Sequence, residues 1–119
     1  MSFDRILVFF GGLCGAAGVA LSAAAAHRGG GDIATAAAML LAHAPAFLAV
    51  GLLAGPRLLR IGAGILFAGL LMFSLDLLCR QYLGGRLFPF AAPAGGMAMI
   101  AGWCVIAAAG LAWRRGESR

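Results

Sequence analysis

The chain contains no lysine, and only 11% of its 119 residues carry charge. A soluble domain of this size must cover its exterior with polar groups, and too few are present to do so. The net charge of +5 rests on arginine alone. These arginines stand between and beyond apolar runs, where membrane topology and anionic lipid headgroups account for them. No basic stripe with interleaved aromatics appears, which excludes nucleic acid as the expected partner. Cysteine is scarce as well. Cys14, Cys79 and Cys104 lie far apart, with no Cys-x-x-Cys pair and no Cys/His cluster, so neither a zinc centre nor a redox motif is supported. Phosphate-loop and metal-helix motifs are missing, and Ser74 has no base at a readable spacing. The reading is of a non-enzymatic chain with no cofactor.

Apolar residues are abundant, at 63% of the chain, and the mean hydropathy is +1.00. Much alanine and 19 glycines accompany them. In lipid the hydrophobic effect cannot drive helices together, so small residues that admit close backbone approach take over. Four apolar segments are predicted as membrane-spanning helices, about 6–26, 33–53, 61–82 and 94–113. Each is roughly 20 residues long, enough to cross ~30 Å of hydrocarbon. The chain is therefore predicted to be a single all-α membrane domain, a four-helix bundle with short loops.

The first segment begins like a signal peptide, with Arg5 ahead of the apolar run and Ala23 to Ala26 resembling a cleavage site. It is expected to stay attached as a helix. Asp32 is expected to cap the second helix, and Pro45 to favour a kink near His43. Arg57 and Arg60 mark the second break. Arg86 to Pro93, with two prolines and two phenylalanines, predicts an extended apolar connection lying against the interface. Trp113 beside Arg114 and Arg115 suits an interfacial anchor. Six arginines fall on the side of the termini (Arg5, Arg57, Arg60, Arg114, Arg115, Arg119) and three on the other (Arg28, Arg80, Arg86), so both termini are expected in the cytoplasm.

Two positions inside the spans carry chemistry. Asp76 lies roughly 22 Å beyond the start of its segment, near the far headgroup boundary. Arg80 stands one turn on and on the same face, in the favourable acid-before-base order. An intrahelical ion pair is one reading. A carboxylate facing the bundle interior to bind a cation, proton or polar ligand is another, and contact with a partner protein is a third. His27 ends the first segment on the same side, so His27, Arg28, Asp76 and Arg80 are candidates for one polar cluster. His43 is ~15 Å deep, close to the midplane, and is a candidate interhelical hydrogen-bonding group or an intramembrane ligand or proton group. A haem held by both histidines is disfavoured, because His27 and His43 differ in depth by roughly 15 Å. Gly11 and Gly15 form a Gly-x-x-x-Gly pair suited to a tight crossing. Gly102 and Trp103 read as packing positions in the fourth segment.

Several stretches resemble one family. They are the end of the first segment into His27, His43 itself, Phe73-Ser74-Leu75-Asp76-Leu77, the block Leu87-Phe88-Pro89-Phe90-Ala91-Ala92-Pro93-Ala94-Gly95-Gly96, and Ile100-Ala101-Gly102-Trp103. The chain resembles the bacterial inner-membrane family numbered 423 among domains of unknown function, akin to eukaryotic transmembrane protein 256. Members usually read Ala-His-Gly after the first helix, whereas this chain has Ala26-His27-Arg28-Gly29. The resemblance implies four helices in a bacterial inner membrane and no established activity.

Three function classes follow. The first is an accessory subunit of a membrane complex, or a homo-oligomer, acting through helix packing with membrane lipids and another membrane protein or itself as partners. The second is a small transporter or channel using Asp76 and His43. The third is a redox or lipid-modifying enzyme with a bound cofactor.

Overall fold

A computed structural model of the chain describes residues 3–53 and 55–113. The described residues form four helices: α1 (Phe3–Arg28), α2 (Gly31–Leu52), α3 (Arg57–Tyr82) and α4 (Ala91–Ala112). Each is long and apolar enough to cross a membrane. The shortest has 22 residues, or roughly 33 Å at 1.5 Å per residue.

The ends differ from expectation for local reasons. Gly29 and Gly30 have φ of 74° and 106°, a left-handed turn that glycine enters without a Cβ penalty. The Gly29 N–H donates to the Ala25 carbonyl at 2.8 Å, closing α1, and Gly30 then starts α2 as its N-cap. Asp32 is thus inside the first turn and makes no capping bond; it is placed to favour the helix dipole instead. Pro56, with φ −69°, is pre-set to enter a helix, so α3 begins at Arg57. Arg57 and Arg60 therefore occupy its first turn rather than a loop. The third connection spans 83–90 as turns, not as an extended strip. Pro93 falls in the first turn of α4, where a missing N–H breaks no helical bond. α2 runs unbroken through Pro45. Arg114, Arg115 and Arg119 lie outside the described residues.

Packing follows chain order. α1 lies along α2, α2 along α3, and α3 along α4, while no Cα of α1 comes within 8 Å of α3 or α4. The inner helices bury twice the share of their spans that the outer ones do, 44% against 22%. Large exposed side chains such as Leu52, Ile100 and Leu111 would be a liability in water but are ordinary against lipid.

Glycine sets the closest approaches. A Cβ on Gly69 would stand 2.7 Å from the Gly95 carbonyl oxygen, and one on Gly102 would stand 2.7 Å from the Leu66 nitrogen. Gly62 and Gly95 are equally tight against α4 and α3. These four residues form two pairs, each pair two turns apart on its helix, so the backbones of α3 and α4 meet along one seam. On α1 the equivalent positions are Gly11 and Gly18. A Cβ on Gly18 would stand 2.6 Å from Leu41, whereas one on Gly15 would have an ordinary contact of 3.8 Å with Ala44. The tight spacing is therefore seven residues, the repeat of left-handed helix pairs, not the four of Gly11 and Gly15.

Candidate functional site: polar groups within the spans

Asp76 is wholly buried on α3, about 9 Å short of the end of the helix. Its Oδ2 lies 2.8 Å from Nη2 of Arg80, one turn further along the same helix. Its Oδ1 accepts the backbone N–H of Leu87 at 2.7 Å. The acid therefore grips two things at once, a cation on its own helix and the connection that leads into α4. The connection can fold back because Gly84 takes a left-handed φ of 77°, and Phe90 a φ of 65° at the start of α4.

His27 and Arg28 do not join this pair. Both are exposed in the last turn of α1, where positive charge suits the helix dipole. Neither makes a hydrogen bond or ion pair with Asp76 among the described residues. The four-residue cluster reduces to Asp76 and Arg80.

His43 is buried on α2 and meets α4. Its Nδ1 lies 2.7 Å from the Met39 carbonyl oxygen, and its Nε2 lies 3.1 Å from Nε1 of Trp103. A carbonyl only accepts and an indole N–H only donates, so the two partners together fix the ring as the neutral tautomer with its proton on Nδ1. Both nitrogens are then in use, and Nε2 can take a metal or a proton only by giving up Trp103. Equal depth explains the meeting. His43 is twelve residues past Gly31 and Trp103 twelve past Ala91, each roughly 18 Å along helices that start on the same side. The sequence carried that signal as matched offsets in alternate spans, and reading Trp103 as plain packing passed over its N–H.

Ser74 is buried, and its hydroxyl has no hydrogen-bond partner, hence no base. Among the described residues no three His, Cys, Asp or Glu side chains converge as a metal site. The three cysteines are free. Gly102 sits in the α3–α4 seam as a packing residue, and Gly11 is in moderately close contact with Ala44, Phe47 and Leu48 of α2.

No curated protein and no solved structure matches the chain. One family model does, that of a protein of unknown function (DUF423), across residues 14–96. That stretch contains α2, α3, His43 and the Asp76–Leu87 clasp and reaches to the seam glycine Gly95. This four-span chain therefore belongs to the DUF423 family of proteins of unknown function.

Proposed function

We propose that the chain works in a bacterial inner membrane as a non-enzymatic packing protein, either an accessory subunit of a larger complex or a homo-oligomer. The observation that carries this reading is that His43 and Asp76, the two intramembrane groups best suited to a ligand, are already engaged within the chain. His43 has both ring nitrogens bonded, and Asp76 holds Arg80 and the Leu87 N–H. Outer helices whose backbones each lie along only one neighbour leave broad faces for a further membrane protein. Extraction in mild detergent followed by native gel and mass analysis should recover a stoichiometric partner or a defined oligomer. A uniform lone monomer would argue against it.

The wholly buried carboxylate of Asp76 favours one second reading, a transporter that couples through it. Asp76→Asn should then abolish flux in reconstituted vesicles, and unchanged flux removes this alternative.

A further inference from the structure

Arg60 and Arg80 bracket the apolar part of α3 and stand roughly 30 Å apart along it, the thickness of a bilayer's hydrocarbon. Arg80 therefore marks the headgroup boundary on the side where α3 ends. Two independent contacts set the connection that follows below that boundary. The Leu87 N–H donates to Asp76, which stands one turn, roughly 6 Å, inside Arg80. Along the seam, a Cβ on Gly95 would stand 2.7 Å from the Phe73 nitrogen. Ala91, one turn before Gly95 on the antiparallel neighbour, is then level with Leu77, so α4 begins roughly 8 Å before α3 ends. The connection over 83–90 dips back into the bilayer edge.

What dips is apolar. Phe90 is 72% and Phe88 44% exposed, Leu83 and Leu87 are exposed too, and Arg86 is the only charge in the stretch. Its deepest backbone donors are provided for. Leu87 donates to Asp76, Pro89 has no N–H, and the Ala91 and Ala94 N–H groups donate to the Phe88 and Phe90 carbonyls at 3.1 and 2.9 Å. Irregular backbone at this depth requires such pairing. Leu75 of α3 and Met97 of α4, at and below the same depth, are exposed as well, so lipid already surrounds the spans there.

We infer that the α3–α4 connection is an interfacial lipid anchor, on the membrane face opposite the two chain ends. Phe88 and Phe90 lie among the acyl chains, Arg86 extends to the phosphates, and Asp76 is the positioning residue that holds the segment down. The anchor is separate from packing between spans and does not depend on a partner for the outer helices.

The test is depth-dependent quenching. The full chain carrying Phe90→Trp, with Trp103→Phe and Trp113→Phe so that one indole reports, is reconstituted in vesicles of phosphatidylcholine and phosphatidylglycerol. Lipids brominated near the glycerol end of their acyl chains should remove most of the emission, those brominated near the methyl end less, and aqueous acrylamide little. Asp76→Leu deletes the acceptor and should reverse the order, with acrylamide becoming the stronger quencher. Asp76→Asn, which keeps an oxygen, should leave it unchanged. Leu87→Pro removes the donor instead and should act like Asp76→Leu, should that variant fail to fold. Strong quenching by acrylamide in the starting chain would place the connection in water, and quenching by neither agent would mean that protein covers it. Either result overturns the inference, as does an unaltered depth in folded Asp76→Leu or Leu87→Pro.

Discussion

A carboxylate with no exposed surface needs partners, and Asp76 has a guanidinium and a backbone N–H. Removing the guanidinium and removing the acid's charge have different consequences. Arg80→Ala strands the buried acid, which costs about 3–5 kcal/mol in a dry pair. Because a third of the Arg80 side chain is exposed, solvent screening lowers the expected loss to about 2–3 kcal/mol. Asp76→Asn keeps an oxygen for the Leu87 N–H, so it should cost less, about 1–2 kcal/mol. Thermal melts in detergent should rank Arg80→Ala below Asp76→Asn, and the reverse order would show that the pair is not what holds the acid. The His43–Trp103 bond is weaker. Trp103→Phe keeps the ring bulk and removes the N–H, for an expected loss of about 0.6–1.7 kcal/mol. The pairing of Asp76 with Arg80 is legible from their spacing on one helix. The Leu87 N–H is not, because a backbone donor leaves no mark in a sequence.

At the scale of helices, glycine position decides tolerance. Gly69→Ala and Gly102→Ala drive a methyl into facing backbone atoms that cannot rotate away. Each should cost about 1–3 kcal/mol through overpacking and displacement of α4 from α3. A methyl added at Gly12 would meet nothing within 4 Å, so Gly12→Ala should instead stabilise by about 0.4–1 kcal/mol, by restricting the unfolded chain. Unfolding midpoints in one detergent check both signs together. If Gly69→Ala and Gly12→Ala behaved alike, the seam would have no energetic meaning. The Gly11–Gly15 pair is visible to any reader of the sequence. Which glycines meet a neighbour depends on how each helix is rotated, and that follows from the facing side chains.

For the molecule as a whole, four spans carry the chain across the bilayer an even number of times. Reporters fused to the two ends should therefore register the same compartment, which the arginine distribution predicts to be the cytoplasm. Opposite readings would mean that one of the four helices does not span. The chain is arranged as two tight hairpins joined through α2 and α3, with α1 never reaching α4. Closing the loop into a square would bring those two together, so the open arrangement leaves the outer helices facing lipid or a further protein.

The apolar runs alone set the number of helices, their lengths and lipid as their solvent, because in hydrocarbon a lone segment must satisfy its own backbone and only a helix does so. Arg80 beside Asp76 was likewise fixed locally, by 3.6 residues per turn. What required the folded chain was every meeting between spans: Trp103 reaching His43, Leu87 turning back to Asp76, and the glycines of α3 lying on those of α4. Those depend on rotation and depth relative to a neighbour, and these are set by side chains distant in the sequence.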